Sequence, residues 1–266
     1  MSQTRARGAI IVGASAGIGE ALAHELADAG YAVGLAARRT ERLKAVGAEL
    51  PTQAYVATMD VTDVEDARTG FFELVEAMPS VDLVVLSAGV GTGNRDLEWA
   101  PERETIDVNV RGFTALATAA LEHFESRESR ERDEYEGDGN GNGTQNGDTD
   151  GHLVGISSVA ARFGNPNAPA YNASKAFVST YLEGLRHRQA TREADVTITT
   201  VEPGYVDTEM LLSDDPFWVA SPETAAAHIA RAIRQERSHV YVTRRWRLVS
   251  WLFELLPEPV VRRIVT

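Results

Sequence analysis

A tyrosine and a lysine stand four residues apart in "AYNASKAFV", residues 170–178. On a helix, side chains at i and i+4 share one face, so Tyr171 and Lys175 would lie side by side. The lysine is conspicuous by composition: 24 of the 26 basic residues are arginine, and the one other lysine is Lys44. A phenol titrates near pH 10, and bringing it near 7 takes about 3 pKa units, roughly 4 kcal/mol. A unit positive charge about 4 Å away, at an effective dielectric near 20, supplies about that much. An ammonium beside the ring is therefore sufficient to make the tyrosine an acid/base at neutral pH. Alone, Y-x-x-x-K is a weak signal, because helix faces bring such pairs together without function.

A second set is "GASAGIG", with Gly13, Gly17, Ile18 and Gly19 lying directly after an apolar run and opening a helix-like stretch. Glycines permit positive φ and close approach of a phosphate, and a helix N-terminus offers unpaired N–H groups and partial positive charge. This suits a dinucleotide pyrophosphate, although the spacing is G-x-x-x-G-x-G and a ligand-free tight turn would look similar. A third set ends the second apolar run, in "LAARRTERL". Folds that select NAD place an acid there for the ribose hydroxyls. Here Ala37 is followed by Arg38 and Arg39, and a guanidinium suits a 2′-phosphate. NADP(H) is therefore expected over NAD, the alternative being two solvated arginines at a helix start.

The elements that must position these residues alternate. Strands are expected over "GAIIVG", "AVGLAA", "AYVATMD", "VDLVVLSAG", "HLVGISS", "DVTITTVEPG" and "HVYVT". Helices are expected over "GIGEALAHELADAG", over "TERLKAVGAEL" with Thr40 as N-cap, and over "VEDARTGFFELVEAM". One long helix is expected over "PERETIDVNVRGFTALATAALEHF", then further helices from about Pro169 and over "SPETAAAHIARAIRQ". Continuous apolar strands alternating with helices mean an α/β fold: a single Rossmann-like domain over residues 1–266, a doubly wound parallel sheet with helices on both faces.

The 266-residue chain has 43% hydrophobic residues, no cysteine and a net charge of −13. Disulfides and thiolate chemistry are excluded, and the acidity argues against a nucleic-acid partner. The N-terminus lacks a signal-peptide pattern, which points to a cytoplasmic protein. The histidines show no metal-like spacing, so no metal is expected. Residues 125–152 hold nine acids and three arginines, a net of −6. The stretch 125–151, rich in Gly, Asn and Asp, is expected to be a mobile acidic insert. Acidity with so few lysines suits a protein adapted to high salt, with an ordinary acidic protein as the alternative.

Taken together, the motifs resemble the short-chain dehydrogenase/reductase family across nearly the whole chain outside the insert. "GISS" ends in Ser158, 13 residues before Tyr171; Asn109 lies in "DVNVRG"; and "PGYVDT" runs from Pro203 to Thr208. The resemblance implies an oxidoreductase interconverting a carbonyl and a secondary alcohol by hydride transfer with NAD(P). Tyr171 would move the proton on the substrate oxygen. Lys175 would lower its pKa and hold the nicotinamide ribose. Ser158, rather than Ser157, would bind the substrate oxygen, and Asn109 would anchor a relay water. Ser15 and Arg38 would face the 2′-phosphate, and Asp60 and Val61 would line the adenine. Ala88 and Gly89 would pass the adenosine ribose; Pro203, Gly204, Val206 and Thr208 would position the nicotinamide. Val12 and Ser87 depart from the family's usual Thr and Asn, which bears on local hydrogen bonding. The family also implies a homodimer or homotetramer, and a lid in which Met210, Leu211, Phe217 and Trp218 form either a substrate pocket or ordinary core.

Two other classes remain in view: a non-catalytic dinucleotide sensor, and a membrane-surface protein using its basic end. Residues 244–266 carry five arginines against two acids and read as an amphipathic segment, too short and polar to span a bilayer. It either packs on the body or a neighbouring subunit, covers the substrate site, or lies on an anionic membrane.

Overall fold

The computed structural model describes residues 7–138, 151–192, 195–210 and 217–265. Seven strands form one parallel sheet in the order β3-β2-β1-β4-β5-β6-β7. They are β1 (Gly8–Val12), β2 (Ala32–Ala37), β3 (Ala54–Thr58), β4 (Leu83–Leu86), β5 (Gly151–Ile156), β6 (Val196–Pro203) and β7 (His239–Val242). Ile10 pairs with Gly34 on one side and Val84 on the other; Val84 continues to Leu153, and Leu153 to Ile198.

Period-2 alternation sends successive residues to opposite faces. Ile10, Val12, Val84 and Leu153 join a core beneath α3 (Val64–Ala77), α5 (Phe113–Asp138) and α6 (Pro169–Arg192). Ala9, Ile11, Val85 and Val154 join the other, beneath α1 (Gly17–Asp28), α2 (Thr40–Glu49) and α7 (Pro222–Arg234). Both faces are thus sealed, as a doubly wound sheet requires. Helix starts follow local chemistry. Asp63 caps α3 by accepting from the Asp66 N–H, and Ser221 caps α7 by accepting from the Thr224 N–H, ahead of Pro222. Thr40, expected as a cap, is instead the first residue of α2, and Arg39 holds the cap position.

The expected long fourth helix is three pieces: α4 (Trp99–Ile106), a π-helical segment over Asp107–Gly112, and α5. The first part of the stretch expected as an acidic insert is helical. α5 runs on to Asp138, 13 residues past Glu125, because "ESRESRERDEYE" is rich in helix-forming Glu and Arg. Glu125 itself is a structural ion-pair partner of Arg188 and Arg192 on α6. The remainder of the insert lies outside the described residues. After β7 come α8 (Trp246–Leu255) and α9 (Glu258–Val265), separated by Pro257 as the sequence indicated.

His152 shows what parallel packing does to a titratable group. Its ring is buried and Nε2 lies 2.7 Å from Thr199 Oγ1. That hydroxyl already donates to the Arg237 carbonyl, which assigns the Nε2–H tautomer to His152. Burial lowers its pKa from 6.5 to about 4. The unfolded chain binds this proton at higher pH than the folded one. Stability should therefore be intact above pH 6.5 and fall as pH drops toward 4, by up to about 3 kcal/mol. Chemical denaturation at stepped pH should show this decline, with a shallower slope for His152→Gln; equal slopes would remove His152 as its source.

Candidate active site

The strand order reverses between β1 and β4, and ligands of open α/β sheets bind outside the carboxyl ends at such a point. Gly13 follows β1 with φ +91°, and a Cβ there would lie 2.5 Å from the Ala88 nitrogen. The glycine turn therefore abuts "SAG" at the end of β4, where the Ser87 N–H donates to Val12 O. Gly17, at φ +59°, touches Thr208, so the loop after β6 reaches the glycine turn. α1 begins at Gly17 beside Ile18 and buried Gly19, and its cap residue Ala16 brings no side-chain acceptor to the first N–H groups. These features fit a pyrophosphate: an uncapped helix N-terminus behind a turn that leaves room for phosphate.

At the end of β2 the basic residues divide. Arg38 is exposed and contributes positive charge to Asp60, whose carboxyl is held low chiefly by the Thr62 N–H, together with the Thr62 hydroxyl and Arg38. Arg39 is the one that meets Ser15: its Nε donates to Ser15 Oγ at 3.1 Å. The Glu209 carboxylate bridges Arg39 and Arg42 at 3.0 and 3.1 Å. The resemblance set Ser15 and Arg38 toward the 2′-phosphate; in the structure Ser15 meets Arg39, and Arg42 joins them through Glu209. Val61 turns its side chain into the core.

Lys175 is buried, and its Nζ donates to Ile156 O at 3.0 Å, 5.8 Å from the Tyr171 ring centre. Burial pulls its pKa to about 8. Burial also pushes the Tyr171 phenol up; the Ser158 hydroxyl opposes this and Tyr205 reinforces it. The expected lowering of Tyr171 by Lys175 is therefore not what this geometry sets. Desolvation outweighs the Ser158 hydrogen bond, so the phenol keeps its proton at neutral pH. Ser158 Oγ accepts from the Ala160 N–H and donates to Pro203 O. Ser157 points the other way, donating to Lys175 O, so Ser158 is the serine beside Tyr171.

Asn109 sits in the π-helical segment, a distortion common at functional sites. Its amide exchanges hydrogen bonds with the backbone of Val90 and donates to Ser174 Oγ, which donates to Tyr171 O. A Cβ on Gly89 would be 3.4 Å from both Asn109 Oδ1 and Lys175 Nζ; glycine keeps the space between them open.

A supporting chain was missed in the sequence. Ser157 Oγ lies 2.8 Å from Ser179 Oγ, and Ser179 donates to Glu202. Glu202, fully buried, also accepts two bonds from Arg162. Burial pushes its carboxyl up, but the His239 ring 3.4 Å away and the Arg162 guanidinium outweigh this and hold it low. The available signal was a lone acid in the apolar strand ending "VEPG". Trp246 was missed as well. It is buried, packs on Gly204, and forms an aromatic cluster with Tyr205, Phe217 and Trp218. Met210 reaches 3.8 Å from the Gly89 Cβ position; Leu211 lies outside the described residues. No metal-binding group of His, Asp and Glu occurs among the described residues.

The family described as short chain dehydrogenase matches residues 7–131 and 144–216. The chain belongs to this family. An uncharacterised oxidoreductase of Mycobacterium tuberculosis is 33% identical, covering 96% of this chain and 95% of that one. A farnesol dehydrogenase of Aedes aegypti is 31% identical, covering 76% and 78%. Among solved structures, a short-chain dehydrogenase/reductase of Burkholderia phymatum in complex with NAD aligns at TM-score 0.76 and 20% identity over 95% and 94% of the chains. An alcohol dehydrogenase of the archaeon Thermococcus sibiricus complexed with 5-hydroxy-NADP aligns at 0.70 and 22% over 88% and 95%. The enzyme is thus an NAD(P)-binding oxidoreductase of alcohol and carbonyl groups.

Because Lys175 titrates near 8, its ammonium is present below that pH and lost above it. Affinity for reduced nicotinamide dinucleotide, followed by fluorescence, should fall as pH rises through about 8. In Lys175→Met it should be weak and flat across that range. A wild-type titration without an inflection would mean that Lys175 does not hold the cofactor.

Proposed function

We propose that this dehydrogenase prefers NADP(H) and interconverts a carbonyl and a secondary alcohol on a substrate with an apolar body. The observation that carries the reading is the Ser158 hydroxyl hydrogen-bonded to the Tyr171 phenol, with buried Lys175 one turn along the same helix, its Nζ 5.8 Å from the Tyr171 ring centre. Bound nicotinamide supplies the hydride or takes it up. The chain's part is to hold the substrate oxygen between the Ser158 and Tyr171 hydroxyls and to move the proton at Tyr171 Oη. A dinucleotide sensor has no use for a proton donor set in this way.

The preference for NADP(H) is supported by Glu209. A carboxylate seated between Arg39 and Arg42, next to Ser15, marks a place where this chain holds an anion, and a 2′-phosphate has the same chemistry. An apolar substrate is supported by Tyr205, Phe217, Trp218 and Trp246 beside the Pro203–Thr208 loop, and by the name of the Aedes aegypti relative.

Tyr171→Phe should lower carbonyl reduction by about 10²- to 10⁴-fold while leaving NADPH affinity within a few-fold. Turnover above about a tenth of wild type would overturn the acid/base assignment. For the cofactor, Arg39→Ala should lower the ratio of NADPH to NADH affinity by about 10- to 100-fold, the worth of a charge-assisted contact, and Arg38→Ala by less. A larger effect at Arg38 would return the phosphate to the residue the sequence first suggested.

A further inference from the structure

We propose that α8 and α9 form a docking surface for an anionic lipid bilayer. α8 is apolar on two sides. Trp246, Ser250 and Phe253 turn toward the body, where Phe253 stacks on Phe163 at 4.5 Å. Leu248, Trp251, Leu252 and Leu255, at helical spacing of three and four, form the opposite stripe and face outward, Leu248 at 69% and Leu255 at 82% exposure. α9 continues the pattern with exposed Val260 and Ile264, and a cleft of about 790 Å³ lies between its inner residues, Glu258, Val261 and Arg262, and the Asn172–Ala176 side of α6. Of thirteen large hydrophobic residues exposed among the described residues, nine lie between Phe217 and Ile264. A soluble surface rarely gathers so much apolar area without something to cover it.

Charge identifies the cover. Residues 244–266 carry five arginines and two acids in a chain of net charge −13. The cations flank the stripe: Arg244, Arg245 and Arg247 before it and Arg263 after it, with the Arg247 guanidinium 4.6 Å from the Trp251 ring centre. Apolar residues with tryptophan between arginines match the acyl and headgroup layers of an anionic interface. Among the described residues no helix is long and apolar enough to cross a membrane, so the contact is peripheral. It does not depend on the cofactor or substrate reading.

The test is co-sedimentation of the full chain with vesicles of phosphatidylcholine alone or mixed with phosphatidylglycerol. At about 0.1 M salt the protein should bind the mixed vesicles at least tenfold better than the neutral ones, and raising salt to about 1 M, where the Debye length falls to about 3 Å, should weaken that binding. Arg244→Gln and Arg263→Gln should each weaken it about fivefold. Replacing Leu248, Trp251, Leu252 and Leu255 together with serine should abolish it while circular dichroism and turnover of a water-soluble ketone stay unchanged. Should that variant misfold, quenching of intact protein by brominated phospholipid, lost in Trp251→Phe, reads the same contact. The proposal fails if the intact chain stays free of anionic vesicles, or if the four-serine variant folds and binds as well as wild type. It fails too if that variant loses an oligomeric state while the intact chain ignores lipid, which would make the stripe a contact between copies.

Discussion

Burying an ammonium beside a phenol is costly, and the carboxyl ends of β5 and β6 are built around meeting that cost. An unpaired cation in a protein interior gives up its charge rather than stay. Lys175 is pulled to about 8 and no further, with its Nζ held by the Ile156 carbonyl at the end of β5. That bond also fixes where α6 sits along the sheet, and hence where Tyr171 stands relative to Ser158. Through Ser157, Ser179, Glu202 and Arg162, the same strand ends carry a buried carboxylate on the far side of the helix backbone. Two buried charges of opposite sign, each satisfied by hydrogen bonds, thus tie α6 to both strands. Removing a partner from such a group leaves an unpaired charge, which explains why the acid before Pro203 is sealed so thoroughly.

The second constraint is packing at the loop after β6. Gly204 has no side chain because the Trp246 indole occupies the space: a Cβ there would lie 2.0 Å from it. The end of the chain is therefore locked to the loop that reaches the glycine turn through Thr208. The aromatic cluster lies against the loop after β6 and is also the foot of α8. The aromatic cluster and the apolar outer stripe meet at one helix, so under the two proposals a substrate partitioned into a lipid surface would enter beside the docking face.

Much of this was legible in the chain. The apolar runs of "GAIIVG" and "HLVGISS", buried on both faces, announce parallel strands because each residue must satisfy one of two cores. "GASAGIG" announces its turn because φ values of +91° and +59° at Gly13 and Gly17 are ones that side chains resist. Asn109, Ser158, Tyr171 and Lys175, named from the motifs and the family resemblance, lie close together in the structure. The same reasoning named Arg38 for the 2′-phosphate, whereas Ser15 meets Arg39 in the structure, because two neighbours at a strand end differ only in which way the backbone points them. It also ended α5 too soon, because a charged, polar stretch was read as loop although its Glu and Arg residues favour a helix supported by Glu125 and Arg188.

The sequence by itself determined most of the elements, the glycine turn and the candidates for acid/base chemistry, since these rest on local backbone preference and on chemistry that few side chains can perform. The tertiary structure alone decided what depends on distant groups meeting: the upward shift of the Tyr171 phenol, the pairing of Ser15 with Arg39, the burial of Glu202 against Arg162, and the stacking of Trp246 on Gly204. Each is a balance of desolvation against a particular partner far away in the chain. No spacing records that balance, because the partner's distance in sequence says nothing about its distance in space.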